Sequence, residues 1–268
     1  MDRLTGRVAI ISGAGRGIGR AIALKLAAEG AGVVVNDLDP EPAEETVAAV
    51  KSVGGEAVAC PGDVTELSFA HRFVRTAMDS FGGLDIIVNN AGYTWDAVIH
   101  KMTDEQWDAI LDLHLKAPFR ILRAALPYLK THPVEYHRKV VNISSVAGLG
   151  GNPGQANYAA AKAGVAGLTK TLAKEWGRHR VNVNAVAFGL IATRLTETPA
   201  DEGASITMYG KQIKIGIGAH LLEALKGSIP LGRAGTPEEA AGAVYLLCTP
   251  ESDYISGQVV VCGGGFAL

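Results

Sequence analysis

The chain has 268 residues, of which 48% are apolar and 19% charged, and its formal net charge is −2. This composition is typical of a globular protein with a substantial core, and the small charge favours neither nucleic acid nor an anionic membrane as a partner. No uncharged apolar run reaches the ~18 residues of a membrane span. Three cysteines without a CxxC spacing and seven scattered histidines indicate no disulfide framework and no metal site. With no secretion signal before the first strand, we expect a cytoplasmic protein that acts on a small molecule.

Short apolar runs alternate with longer helical patterns, which is typical of βαβ units and a parallel sheet. We predict strands at 7–11, 32–35, 56–59, 84–88, 140–144, 181–187 and 258–261. We predict helices at 17–29, 40–53, 66–80, 103–129 and 157–176. The fourth helix should bend near Pro118. The predicted fold class is α/β, with a single Rossmann-type, doubly wound parallel sheet, helices on both faces, and one domain over residues 1–268.

Residues 193–229 interrupt this alternation. The segment carries no strand signal but contains several isoleucines and leucines. A connection this long is typical of a functional lid or a small helical insertion. We interpret it as a substrate lid, and a helix pair packed at a subunit interface is the alternative.

A glycine-rich turn lies between the first predicted strand and the first predicted helix. Residues 12–19 read Ser-Gly-Ala-Gly-Arg-Gly-Ile-Gly, and backbone N–H groups in such a strand–turn–helix can bind a dinucleotide pyrophosphate. Glycines that merely form a tight turn are the alternative. Asp37 ends the second strand, where its carboxylate could bind both ribose hydroxyls of NAD and would repel the 2′-phosphate of NADP. Arg16 could instead pair with that phosphate, so we expect NAD, with NADP as the alternative.

Tyr158 and Lys162 are four residues apart on a predicted helix and therefore share one face. An ammonium there would lower the pKa of the phenol from its ordinary value of about 10. Tyr158 could then exchange a proton with a carbonyl or an alcohol. Ser145 lies 13 residues upstream. Together with hydride from a bound dinucleotide, this pair predicts a carbonyl–alcohol oxidoreductase.

Six motifs in this order resemble those of the short-chain dehydrogenase/reductase family in its compact form. They lie at residues 12–19, 63–64, 89–92, 143–145, 158–162 and 256–258. Within the family, the chain is most similar to 3-oxoacyl-thioester reductases and 3-hydroxyacyl dehydrogenases.

The resemblance implies catalytic roles for four residues. Tyr158 would be the general acid/base, Ser145 would polarise the substrate oxygen, and Lys162 would bind the nicotinamide ribose and lower the pKa of the tyrosine. His114 stands where the family has an asparagine that helps to hold a water linking the lysine to solvent. A histidine could donate or accept a hydrogen bond there through a ring nitrogen, so a proton relay could persist with its own pH response.

The resemblance also implies the cofactor contacts. Asp63 and Val64 would hold the adenine, residues 90–92 would line the cofactor, and Thr193 would hold the carboxamide. The complete expected set is Ser12, Gly13, Arg16, Gly17, Ile18, Gly19, Asp37, Asp63, Val64, Asn90, Ala91, Gly92, Tyr158, Lys162, Ile191 and Thr193.

We therefore predict an NAD(H)-dependent oxidoreductase that interconverts a secondary alcohol and a ketone. Tyr93, Trp95, Leu149 and Phe188 suggest an apolar pocket, suited to a 3-hydroxyacyl or 3-oxoacyl thioester or an alicyclic alcohol. One alternative is an NADPH-dependent 3-oxoacyl-carrier-protein reductase. The other is a non-enzymatic dinucleotide-sensing protein, which would not need the acid–base residues. The resemblance also implies a homo-oligomer, either a tetramer or a dimer.

Overall fold

The computed structural model describes residues 2–131, 134–193, 205–208, 211–214 and 219–266. The strands in these ranges are β1 (Val8–Ile11), β2 (Gly32–Val35), β3 (Glu56–Ala59), β4 (Ile86–Asn89), β5 (Arg138–Ser145), β6 (Val181–Phe188), β7 (Ser205–Met208), β8 (Lys211–Lys214) and β9 (Val259–Cys262). The α-helices are α1 (Gly17–Ala28), α2 (Pro40–Ser52), α3 (Phe69–Phe81), α4 (Asp104–Leu111), α5 (Ala117–Thr131), α6 (Ala147–Gly150), α7 (Ala156–Trp176), α8 (Ala219–Ser228) and α9 (Pro237–Leu246).

The central sheet has seven strands in the order β3-β2-β1-β4-β5-β6-β9. All of its pairings are parallel. The chain fills one side of β1 first and then the other, so the strand order reverses between β1 and β4. In open α/β sheets, ligands bind at the carboxyl ends of the strands at such a reversal. The predicted Rossmann-type sheet is confirmed.

Two apolar cores lie on opposite faces of the sheet because successive strand side chains point to opposite sides. In β1, Ala9 and Ile11 pack in a cluster with residues of α1, α2 and α9. Val8 and Ile10 belong to the other cluster, which contains residues of α3, α5 and α7. Helices therefore cover both faces, as predicted. None of the described helices is long and apolar enough to cross a membrane.

The helical region predicted at 103–129 is divided by a π-helix over Asp112–Lys116. Pro118 has no N–H group to donate to the carbonyl of residue 114, four positions earlier. Just before it, the Ala117 N–H donates to the Asp112 carbonyl, five positions back. Single π-turns of this kind are frequent at functional sites, and this one contains His114.

The segment at 193–229 differs in part from its prediction. The expectation of no strand was wrong, because β7 and β8 form an antiparallel pair. Their sequences, Ser-Ile-Thr-Met and Lys-Gln-Ile-Lys, lack the short apolar runs by which the strands of the central sheet were predicted. The helical component is confirmed by α8. Residues 194–204, 209–210 and 215–218 lie outside the described residues, so the lid itself stays a prediction.

Candidate active site and cofactor site

The glycine turn after β1 is shaped by close backbone contacts. Gly13 and Gly17 have φ values of +61° and +52°, in the left-handed region that favours glycine. A Cβ on Gly19 would collide with the Gly13 carbonyl oxygen and lie 2.6 Å from Asn90 Nδ2. The turn leads into α1, whose N-cap residue Arg16 makes no capping side-chain bond. The backbone N–H groups at this helix terminus are therefore suited to binding an anion.

Ser12 and Asn90 connect the glycine turn to the residues that follow β4 through hydrogen bonds. Ser12 Oγ accepts hydrogen bonds from the backbone N–H groups of Asn90 (3.0 Å) and Ala91 (3.1 Å). Asn90 Nδ2 donates to the carbonyls of Ser12 (3.0 Å) and Gly13 (2.9 Å). Both side chains were predicted as cofactor contacts. In the structure both side chains bond to backbone groups of the turn and of the segment after β4. They would therefore support cofactor binding indirectly, by fixing the backbone conformation of the glycine turn.

Asp37 and its neighbour Asn36 form the edge of the turn at the end of β2. Asp37 Oδ2 accepts from the Gly15 N–H at 3.0 Å. Asn36 is buried, accepts from the Gly13 N–H at 3.2 Å and donates to the carbonyl of Gly62 at 3.0 Å. The sequence analysis did not identify Asn36. Its only signal is a polar residue at the carboxyl end of a run of buried valines.

The remaining predicted cofactor contacts lie at the ends of other strands. Asp63 Oδ1 accepts from the Thr65 N–H (2.8 Å) and hydroxyl (2.7 Å), and Val64 is buried beside it. Ile191 is buried and forms a parallel bridge with Gly235. The methyl carbon of Thr193 lies 3.7 Å from the position of a Cβ on Gly17. Thr193 is thus next to the glycine turn, while Ile191 supports the loop that carries it.

Ser145, Tyr158 and Lys162 come together at the carboxyl end of β5. Ser145 is the last residue of that strand, its Oγ accepts from the Ala147 N–H at 3.2 Å, and it lies close enough to the phenol of Tyr158 on α7 to lower the pKa of that phenol. Lys162, which is 4% exposed, donates from Nζ to the Ile143 carbonyl at 2.7 Å. Its Nζ lies 5.5 Å from the centroid of the Tyr158 ring. The helical spacing thus places the phenol and the amine in one site.

The electrostatics of this group differ from the expectation that the lysine would lower the tyrosine's pKa. Burial raises the pKa of Tyr158 to about 12, opposed by the Ser145 hydrogen bond and reinforced by the charge of Asp96. Burial also lowers the pKa of Lys162 to about 7. Desolvation disfavours the charged form of each group. The phenol is therefore held in its acid form, and the lysine changes charge near neutral pH.

His114 packs edge-on against Tyr158, with ring centroids 5.0 Å apart. Its Nε2 lies 2.7 Å from the Tyr93 carbonyl, and because a carbonyl can only accept, Nε2 carries the hydrogen. Burial, together with the charge of Lys162, holds the pKa of His114 well below 6.5. Its Nδ1 is buried without a hydrogen bond to any described residue. The predicted choice between donor and acceptor is therefore resolved in the free protein: the ring is neutral, and only Nδ1 can still accept.

The residues proposed as an apolar pocket separate into two groups. Phe188 and Tyr93 are 6% and 5% exposed and pack in the two cores, and their place in a substrate pocket stays a prediction. Trp95 is half-buried and Leu149 is exposed. The structure also shows a residue that the sequence analysis missed: Asn157 Oδ1 accepts from the Tyr158 N–H at 2.8 Å. A polar residue just inside a helix start was its only signal.

Among the described residues, no group of three or more His, Cys, Asp or Glu side chains is placed to hold a metal ion. A parallel sheet with a glycine turn at its reversal point is typical of dinucleotide-binding proteins. The serine, the tyrosine and the buried lysine at the end of β5 add the acid–base groups of an oxidoreductase. Over residues 13–267 the chain matches the family described as enoyl-(acyl carrier protein) reductase. The protein belongs to the short-chain dehydrogenase/reductase family and is an enzyme of that class.

Similar proteins span almost the whole chain. The 3-oxoacyl-[acyl-carrier-protein] reductase of Synechocystis is 41% identical, with all of both chains covered. The 3-oxoacyl-[acyl-carrier-protein] reductase FabG of Thermotoga maritima is 38% identical over 99% of this chain and all of that relative. The short-chain reductase protein NovJ of Streptomyces niveus is 40% identical over 96% and 93% of the two chains. The crystal structure of a dehydrogenase/reductase from Sinorhizobium meliloti superposes with a TM-score of 0.86, at 32% identity, over 99% and 96% of the two chains.

Proposed function

We propose that this enzyme reduces the 3-oxo group of an acyl thioester to an alcohol. The observation that carries the proposal is the grouping of Ser145 at the end of β5 with Tyr158 and the buried Lys162 on α7, because two neighbouring hydroxyl donors suit a developing oxyanion. The names of the Synechocystis and Thermotoga relatives support a 3-oxoacyl thioester over the alicyclic alcohol. This reading is closer to the carrier-protein reductase that the sequence analysis gave as an alternative.

The glycine turn suits a dinucleotide, because it leads into the N-terminus of α1, where Arg16 makes no capping side-chain bond and the backbone N–H groups can bind a pyrophosphate. When bound, a reduced nicotinamide supplies hydride to the carbonyl carbon. Ser145 and Tyr158 would donate hydrogen bonds to the carbonyl oxygen, and Tyr158 would release its proton to that oxygen. Lys162, held by the Ile143 carbonyl, would bind the nicotinamide ribose and help to restore the proton.

For the cofactor, we propose NAD(H). The Asp37 carboxylate is held beside the turn by Gly15, where it would accept from ribose hydroxyls and repel a 2′-phosphate. Arg16 is exposed at the same edge and supports NADP(H), which remains the alternative.

A homo-oligomer stays part of the proposal. Val260 and Val261 on the edge strand β9 are 40% and 48% exposed, and Phe119 on α5 is 43% exposed. Exposed apolar side chains on an edge strand favour association, and light scattering after size-exclusion chromatography measures it.

The proposed activity is tested with acetoacetyl-N-acetylcysteamine, a small neutral 3-oxoacyl thioester, and with NADH or NADPH followed by absorbance. We expect cofactor oxidation that depends on the thioester, with kcat/KM at least about tenfold higher for NADH, because two like charges at one site disfavour binding. A preference for NADPH would overturn the cofactor assignment alone. If the enzyme oxidises neither NADH nor NADPH with this thioester or with longer 3-oxoacyl thioesters, the proposed 3-oxoacyl-thioester reductase activity is wrong.

A further inference from the structure

Asp96 ties together the two loops that flank the catalytic tyrosine. It lies in the loop after β4, where its Oδ2 accepts from Gln155 Nε2 at 2.8 Å. In the same place, the Ala97 N–H donates to the Gly154 carbonyl at 2.9 Å, and Ala97 forms a parallel bridge with Gln155. The position of the carboxylate is thus fixed by both loops, although solvent reaches it.

This arrangement places Asp96 beside Tyr158. Gln155 is the N-cap residue of α7, and its carbonyl accepts from the Ala159 N–H at 2.7 Å in the first turn of the helix, the turn that contains Tyr158. Asn157 Nδ2 in the same turn donates to the carbonyl of Trp95, the residue before Asp96, at 3.2 Å. The influence of the Asp96 charge on the Tyr158 phenol agrees with this placement.

The described walls of the site offer no cation to balance Asp96. Three segments form these walls: the loop after β4, the end of β5 with the first part of α7, and the segment from the end of β6. The only charged side chain in them is that of Asp96 (residues 89–98, 144–161 and 188–193). Its partners Gln155 and Thr94 are neutral. Lys162 follows on α7, but it is buried and bonded to the Ile143 carbonyl. A second anionic group entering beside Tyr158 would therefore meet a like charge in a partly desolvated site.

We propose that Asp96 determines substrate specificity by excluding free 3-oxo acids and admitting 3-oxoacyl groups whose carboxyl is esterified. The inference rests on the proposed function. In a free 3-oxo acid the carboxylate is separated from the reacting carbonyl by a single carbon, so binding the ketone at Tyr158 brings that charge toward Asp96. A thioester presents the same carbon skeleton without the charge.

The test compares kcat/KM for acetoacetyl-N-acetylcysteamine and for acetoacetate at pH 7.5. We expect wild-type enzyme to favour the thioester, and Asp96→Asn to narrow that ratio about tenfold by raising kcat/KM for acetoacetate. Gln155→Lys, which places a cation beside Asp96, should narrow the ratio as well. If Asp96→Asn does not fold, the kcat/KM ratio of Gln155→Lys alone shows whether the charge at Asp96 discriminates against acetoacetate.

Two control variants separate charge from structure. Gln155→Ala removes the hydrogen bond but keeps the carboxylate, and Asp79→Asn removes an exposed carboxylate on α3. Neither should narrow the ratio. An unchanged ratio in both charge variants, or equal narrowing in Gln155→Ala, would overturn the inference while the proposed function stands. If wild-type enzyme reduces neither compound, nor longer 3-oxoacyl thioesters, the proposed function itself fails.

Discussion

In the cofactor half of the site, polar side chains are paired within the protein. Asn36, Asn90 and Ser12 each bond to the backbone of the glycine turn or of its neighbours. In the catalytic half, Lys162 and His114 each have one hydrogen bond to a backbone carbonyl, and burial determines their charge. Tyr158 and Lys162 have pKa values shifted by desolvation, and His114 Nδ1 has no hydrogen bond to a described residue.

The difference indicates how each half should respond to change. A turn fixed by internal hydrogen bonds is preorganised, and preorganisation acts on binding. Buried groups with shifted pKa values act on turnover and make it depend on pH. Substitutions in the first half should therefore act mainly on cofactor binding, and substitutions in the second should act mainly on kcat.

The largest expected effect is that of Tyr158→Phe. The variant keeps the ring against His114 and removes the hydroxyl, so we expect kcat to fall by about 10²–10⁴-fold, the range for lost acid–base catalysis. The dissociation constant for the reduced cofactor, measured by fluorescence titration, should change less than about threefold because the glycine turn is untouched.

Tyr254→Phe is the matched control, since that tyrosine is fully exposed and should keep wild-type kcat. Near-normal turnover by Tyr158→Phe would show that the phenol is not the proton donor. A large loss of cofactor affinity would show that the two halves are not separable.

The next largest effect is expected from Gly19→Ala in the cofactor half. The new Cβ would collide with the Gly13 carbonyl and displace Asn90 Nδ2, and neither the backbone nor a side chain bonded at 2.9 Å can move cheaply. We expect the cofactor dissociation constant to rise at least about tenfold, and overpacking to cost about 1–3 kcal/mol of stability.

Gly242→Ala is the control because Gly242 lies inside α9 with no atom within 4 Å of the added Cβ. It should leave cofactor binding unchanged and raise stability by up to about 1 kcal/mol, the helix preference of alanine over glycine. If Gly19→Ala binds the cofactor as tightly as wild type, the turn is not the binding site.

The sequence predicted the cofactor half better than the catalytic half. The positions of the strands along the chain, the glycine turn and the place of Asp37 at the end of β2 follow from local pattern, because a parallel sheet brings successive strand ends to one edge. The helix α9 was missed, although Thr236 and Glu239 form its capping box and Pro237 stands at its first position, a recognisable start.

The spacing of residues in the sequence could not predict how burial shifts the pKa values of the catalytic side chains. The four-residue interval put Tyr158 and Lys162 together, but the direction of their pKa shifts depends on residues from β5, α7 and the π-helix that pack around them. The same holds for His114, whose donor is used by a carbonyl 21 residues away in sequence. Asp96 and Gln155 are 59 residues apart, and no local pattern joins them.

The smallest effect tests the desolvated lysine through stability. The pKa of Lys162 is about 7 in the folded protein, against about 10.4 in an unfolded chain. Between these values the unfolded state binds the extra proton, so stability should rise with pH from about 7 toward 10. Lys162→Met should flatten this rise in Tm measured from pH 7 to 9.5, whereas Lys170→Met, on the exposed side of the same helix, should keep it. Parallel curves for wild type and Lys162→Met would mean that the lysine is solvated in the folded protein, and that the contrast between the two halves rests on geometry alone.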